Sequence, residues 1–108
     1  MAESEEWIEV ARADELAAGN SRTVEVAGET VALFNDGGTF FAIDDACPHH
    51  GASLADGTLH DGRVICPLHS WVFDVRTGRC PRDSHEPVRA WPTRLRDAGR
   101  IRLVPEAE

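Results

Sequence analysis

Apolar and polar residues alternate over short stretches of the chain, a pattern typical of β-strands with one buried face. The stretches predicted as strands are 7–11, 23–26, 30–34, 40–43, 58–59, 63–65 and 71–74. A turn of helix is expected over residues 14–18, where Gly19 would end it. Short strands with almost no helical periodicity indicate an all-β fold.

Turn residues between these strands predict hairpins. Ala27-Gly28-Glu29 separates the second and third strands, and residues 35–38 end in two glycines before the fourth. Asp61-Gly62 is a strong hairpin dipeptide, because both of its positions tolerate a positive φ. We therefore expect small antiparallel sheets built from neighbouring strands.

The last third of the chain predicts a final strand pair after a polar loop. The loop covers residues 81–87, and its His85 is expected to be solvated. The next strand is expected to carry the alternating residues Trp91, Thr93 and Leu95 on one face. After a turn at 97–99, Ile101 and Leu103 of the last strand would lie opposite them. A chain of 108 residues is long enough for one domain with a modest core, so 1–108 is expected to be a single domain.

Cellular location is predicted from the apolar runs and the first residues. The longest uninterrupted apolar runs, such as residues 31–34, are far too short to span a bilayer, so no membrane partner is expected. Residues 1–6 are acidic and lack the basic and apolar regions of a signal peptide. A cytoplasmic location is the expectation.

The net charge of −8 disfavours nucleic acid as a partner, because phosphates favour basic surfaces. Residues 1–61 hold 13 acids and two arginines, whereas residues 62–108 hold six acids and nine arginines, and there is no lysine. Such a chain could be steered towards basic patches on partner proteins, or the charge could serve solubility alone. Both explanations stay open.

The residues that could carry chemistry are two short cysteine–histidine motifs, here called clips. Cys47 and His49 form a Cys-x-His clip, and after sixteen residues Cys66 and His69 form a Cys-x-x-His clip. A Rieske [2Fe–2S] centre has two cysteines on one iron and two histidines on the other, which this donor set matches. Zinc also binds two cysteines and two histidines, but its motifs usually pair cysteine with cysteine and histidine with histidine. A structural zinc module is therefore a remote alternative.

The residues around both clips sharpen this interpretation. Cys47-Pro48-His49-His50-Gly51 and Cys66-Pro67-Leu68-His69, followed by residues 70–74 and Thr77-Gly78, closely resemble the two cluster loops of Rieske ferredoxins. The resemblance implies a Rieske fold in which a base domain carries a cluster-binding subdomain, here about residues 45–74. It implies a [2Fe–2S] cluster held by Cys47, His49, Cys66 and His69, with no catalytic residue.

Several positions depart from the Rieske proteins of respiratory and photosynthetic complexes. Those proteins join the loops by a disulfide and donate hydroxyls to the cluster. Here Ala52 and Leu68 stand at the disulfide positions, Trp71 and Phe73 stand at the hydroxyl positions, and the chain has no tyrosine. The oxidised core is neutral, since two ferric ions balance two sulfides and two thiolates, and fewer donors predict a low potential. This favours a ferredoxin over quinol oxidation.

The resemblance therefore implies an electron carrier that is not itself an enzyme. It would take single electrons from an NAD(P)H-dependent flavin reductase and pass them to a terminal oxygenase, and it would be a monomer when free. The same loops resemble the Rieske-type small subunit of assimilatory nitrite reductases, which stays open as the alternative. A terminal oxygenase is nearly excluded, because the chain has no room for a second, mononuclear iron domain.

Three further side chains lie outside the predicted ligand set. His50 is expected at the surface or beside a ligand, and Trp71 is expected to shield the cluster from water. Cys80 is left over from the ligand pairs and is expected to be a half-buried small side chain.

Overall fold

Ten β-strands and two short 3₁₀ turns form the regular structure, with no α-helix among the described residues. The structure, a computed structural model, describes residues 8–48, 51–68, 70–81, 85–96 and 99–103. The strands are β1 (Ile8–Arg12), β2 (Ser21–Val26), β3 (Glu29–Asp36), β4 (Thr39–Asp44), β5 (Thr58–His60), β6 (Arg63–Ile65), β7 (Val72–Asp74), β8 (Ala90–Trp91), β9 (Thr93–Arg96) and β10 (Arg100–Leu103).

The strands form three antiparallel sheets. Their orders are β1-β10-β9, β2-β3-β4-β8 and β5-β6-β7. The all-β prediction with small antiparallel sheets is confirmed. Each of β5, β6 and β7 has only three residues, so this sheet serves mainly to carry the loops at its ends.

Strand β3 is buried on both faces and separates two hydrophobic clusters. Val31 and Leu33 pack into one cluster with β1 and β10, whereas Ala32 and Phe34 pack into another with β6 and β7. Successive side chains of a strand point to opposite faces, so one strand can supply both clusters. This explains why residues 31–34 read as a continuous apolar run rather than an alternating one.

Two tight turns confirm the predicted hairpins. Ala27 and Gly28 join β2 to β3 with φ angles of 52° and 83°, and Asp61 and Gly62 join β5 to β6 with φ angles of 55° and 75°. Positive φ at both central residues is the turn that matches the right-handed twist of paired strands. The second hairpin returns the chain to Cys66, as the sequence predicts.

The face predicted for the last strands is wrong. Trp91 lies in β8 and pairs with Ala42 of the four-stranded sheet, whereas Thr93 and Leu95 lie in β9 of another sheet. Pro92 lies between the two strands, and it has no N–H to continue a ladder. Leu95 pairs with buried Ile101 but is 51% exposed, because β9 is the edge of its sheet.

The helical turn predicted at 14–18 is a 3₁₀ turn at Ala13–Glu15. The Glu15 carboxylate accepts a hydrogen bond from the Arg12 N–H at 3.1 Å and so caps this turn. Within the described ranges, no helix has the length and apolar character needed to cross a membrane.

Candidate metal centre

The first predicted ligand loop follows β4 and is closed by its own backbone. The Cys47 N–H donates to the Ala52 carbonyl at 2.9 Å, and the Gly51 N–H donates to the Cys47 carbonyl at 2.7 Å. Gly51 has a φ of 73°, which glycine adopts at no steric cost. Cys47 therefore lies at the base of a tight loop.

The second loop joins β6 to β7 and closes in the same way. The Cys66 N–H donates to the Trp71 carbonyl at 2.7 Å, so each loop ends five residues after its cysteine. Ser70 has a φ of 56°, a left-handed conformation that is uncommon for a residue with a side chain. The two clips predicted from sequence are thus two similar hairpin-like loops.

Asp45 anchors the first loop, a role that the sequence does not reveal. Its Oδ1 accepts hydrogen bonds from the Ser53 hydroxyl at 2.9 Å and from the Ala55 N–H at 3.0 Å. Its carbonyl accepts a further bond from the Leu54 N–H at 2.7 Å. Asp45 is buried, so these bonds compensate its loss of water and fix both ends of the loop.

The structure brings Cys47 and Cys66 together in one buried place. The two residues are 2% and 1% exposed, and Cys47 lies close enough to Cys66 to influence the pKa of its thiol. Burial raises the pKa of the Cys66 thiol, a backbone hydrogen bond from Leu68 lowers it, and the neighbouring Cys47 raises it. The net shift is upward, so metal binding would have to displace a proton from this thiol.

The other two predicted ligands, His49 and His69, lie outside the described residues, as does His50. The described part of the site still fits an iron–sulfur cluster. It offers two adjacent buried thiols on separate loops, neither of them in a disulfide, with a backbone N–H directed at one sulfur. Soft thiolates shielded from water are the donors that iron–sulfur clusters use.

Cys80 departs from the sequence-based expectation of a half-buried side chain. Cys80 is only 4% exposed, more buried than predicted, and packs in the same cluster as the two predicted ligands. Leu68 is 47% exposed on the second loop, and Ala52 is half-buried on the first.

His85 is not simply solvated, contrary to the sequence-based expectation. Its ring stacks on Trp71, with centroids 3.7 Å apart and planes 8° from parallel. Both side chains are half-buried, and Trp71 packs against the cluster that holds the two cysteines. Strand β7 and a further ten residues separate the pair along the chain, so no sequence pattern could have indicated this contact.

The sequence model of one protein family matches most of the chain. It is the Rieske [2Fe-2S] domain, matched over residues 6–92. This range includes both loops and strands β1 to β8.

Curated relatives are similar over nearly the full length. The chain is 36% identical over 101 residues to the 3-phenylpropionate/cinnamic acid dioxygenase ferredoxin subunit of Photorhabdus laumondii, covering 92% of this chain and 95% of that protein. It is 39% identical over 95 residues to the anthranilate 1,2-dioxygenase ferredoxin subunit of Burkholderia cepacia, covering 85% and 86%.

Solved structures share the fold. The ferredoxin of carbazole 1,9a-dioxygenase from Nocardioides aromaticivorans has a TM-score of 0.85 at 34% identity, covering 93% of this chain and 98% of that one. A chain named as an NADH-dependent nitrite reductase small subunit from Mycobacterium tuberculosis has a TM-score of 0.88 at 27% identity, covering 96% and 98%. A chain from a complex of reduced oxygenase and oxidized ferredoxin of carbazole 1,9a-dioxygenase scores 0.84 at 28% identity, covering 94% and 95%.

These similarities confirm the predicted fold, the Rieske-type [2Fe–2S] cofactor and an electron-transfer role. The relatives are named as ferredoxin components of dioxygenase systems, which bears out the expectation of an electron-transfer component rather than an enzyme. The chain therefore belongs to the Rieske [2Fe–2S] domain family.

Proposed function

We propose that this chain carries single electrons from an NAD(P)H-dependent flavin reductase to the terminal oxygenase of a ring-hydroxylating system. The observation that carries the proposal is the 36% identity to a dioxygenase ferredoxin subunit over 92% of the chain. The reductase and the oxygenase are the partners this role requires. Because the donor uses NAD(P)H, the proposed location is the cytoplasm.

Cys47, His49, Cys66 and His69 are the proposed ligands. The burial of Cys47 and Cys66, their proximity and the matching closure of their loops support the thiol half of this set. The spacing of His49 and His69 within the same loops supports the imidazole half. We also propose that residues 1–108 form one Rieske domain, in which residues 45–74 are the cluster-binding subdomain.

When bound, the [2Fe–2S] cluster supplies a centre that accepts and releases one electron. The chain contributes the environment of that centre. Val64, Phe73 and Leu54 are fully buried around the two cysteines and keep water from their sulfur atoms. The backbone N–H of Leu68 donates to Cys66 and stabilises negative charge on its sulfur, which favours cluster reduction.

The ends of the two loops are proposed to dock on the partner. Pro48 on the first loop and Pro67 and Leu68 on the second are exposed, so apolar surface lies beside both predicted ligand clips. An exposed leucine at such a position can be buried by a partner and strengthen association. Docking there would place the acceptor close to the cluster.

Leu68→Ser should weaken the complex with the oxygenase about three- to tenfold, because roughly half of a leucine side chain remains to be buried. The dissociation constant is measured by titration, and the reduction potential should stay unchanged. Leu95→Ser is the matched control, since Leu95 is 51% exposed but lies in β9, on a different sheet. Equal effects of the two substitutions would contradict docking through the second loop.

The competing role is that of a nitrite reductase small subunit, favoured by the likeness to the Mycobacterium tuberculosis chain. The two roles differ in the acceptor. Reduced protein is mixed in a stopped-flow instrument with a purified ring-hydroxylating oxygenase or with a purified sirohaem nitrite reductase. We expect the oxygenase to oxidise it at least tenfold faster. The opposite order would replace the proposed function with the alternative.

A further inference from the structure

The His85–Trp71 stack joins a remote loop to the second ligand loop. His85 precedes β8, whereas Trp71 is the residue that ends the loop begun by Cys66. Their rings are 3.7 Å apart and nearly parallel, and Phe73 lies 6.5 Å from Trp71 on a tilted plane.

The scaffold fixes the segment that carries His85. The Val88 N–H donates to the Gly78 carbonyl at 2.9 Å, and the Arg89 carbonyl accepts from the Asp44 N–H at 2.9 Å. The Arg89 guanidinium also bonds the carboxylates of Asp44 and Glu29, and it lies 4.2 Å from the centre of the Trp91 ring. Contacts with β3, β4 and the turn after β7 therefore anchor the chain within a few residues of His85.

Trp71 in turn controls the base of the ligand loop. Its carbonyl accepts the Cys66 N–H at 2.7 Å, and its side chain packs against the hydrophobic cluster that contains Cys47 and Cys66. Outward rotation of the indole would uncover the hydrophobic cluster that contains the two sulfurs and admit water to it. A contact that holds the indole in place therefore keeps this cluster covered.

We propose that His85 is a positioning residue that keeps Trp71 closed over the second ligand loop and thereby sets the lifetime and the reduction potential of the cluster. This proposal rests on the proposed ligation by Cys47 and Cys66. The stack acts through the contact of two flat rings, so another aromatic ring should replace the imidazole.

The direction of the potential change follows from charge. The oxidised core is neutral and gains one negative charge on reduction, so water that reaches the cluster stabilises the reduced form more than the oxidised form. Loss of the stack should therefore raise the potential. It should also speed cluster loss, because water and oxygen reach the sulfurs more often.

The test compares His85→Ala, His85→Phe and His60→Ala in the cluster-loaded protein. His60 is an exposed histidine on β5 and is the matched control. The measurements are the decay of visible absorption in air and the midpoint potential by voltammetry. We expect His85→Ala to lose the cluster about two- to tenfold faster, as the loss of one aromatic pair allows, and to have a raised potential. His85→Phe and His60→Ala should behave as the parent protein.

A wild-type lifetime and potential in His85→Ala would overturn the proposal, and so would a His85→Phe variant that behaves like His85→Ala. Voltammetry reports only molecules that hold a cluster, so the potential is informative even if the yield of folded His85→Ala is low. Failure of the parent protein to bind a cluster would instead refute the proposed function. The two failures are therefore distinguishable.

Discussion

Cys66→Ala and Cys47→Ala should each reduce the iron and acid-labile sulfide of the purified protein to less than about a tenth of the parent's two atoms of each per chain. Each substitution removes a proposed thiolate ligand, and the alanine methyl group that replaces it cannot bind iron. Electron transfer from the reductase should fall at least about a hundredfold, because the chain then lacks its redox centre.

The third cysteine provides the control for this experiment. Cys80 is 4% exposed and packs in the same hydrophobic cluster, so Cys80→Ala removes the same atom from the same surroundings. It should keep its iron, its sulfide and an EPR signal that appears only on reduction. Its cost should be limited to about 1 kcal/mol of stability from lost packing. Equal iron loss in all three variants would indicate that packing, rather than ligation, retains the cluster.

The hairpins were predictable because their information is local. Ala27-Gly28 and Asp61-Gly62 specify tight turns through the φ angles that their residues tolerate, and the structure shows those angles. The family match, which identified the same fold and cofactor, covers residues 6–92 and therefore includes both short cysteine–histidine motifs. Fold class and cofactor followed from such local signals.

Contacts between distant segments could not be read from these patterns. Trp91 lies beside Ala42, although nearly half of the chain separates them, and β1 lies beside β10, although most of the chain separates these strands. The alternation of Trp91, Thr93 and Leu95 suggested one face, but Pro92 divides the run between two sheets. Periodicity indicates which face of a strand is buried, but it does not indicate which sheet the strand joins.

The environment of the site was equally hidden. Asp45 binds Ser53 and Ala55 through one carboxylate oxygen, and His85 covers Trp71 from a loop that looked merely polar. Both roles depend on how the loops approach one another after folding. Ligand types follow from motifs, whereas the groups that hold the ligand loops in place follow from packing.

Gly78→Ala should lower the free energy of unfolding by about 3 kcal/mol or more. Gly78 is buried, has a φ of 78° and lies against the segment before β8. An added Cβ would come within 2.1 Å of the Val88 carbonyl oxygen and 3.0 Å of its carbon. These are backbone atoms held by the hydrogen bond from the Val88 N–H to Gly78, so they cannot rotate away as a side chain could.

The expected change in thermal unfolding is a Tm lower by about 12 °C or more for a domain of this size. Gly28→Ala separates collision from backbone conformation, because Gly28 has a φ of 83° but nothing within 4 Å of an added Cβ. It should lose only about 1 kcal/mol, the cost of a left-handed residue with a side chain. If both variants lost the same 1 kcal/mol of unfolding free energy, the backbone at Val88 would be able to move away from the added Cβ without a measurable loss of stability. Its neighbour His85 would then lack the fixed support from which it holds Trp71.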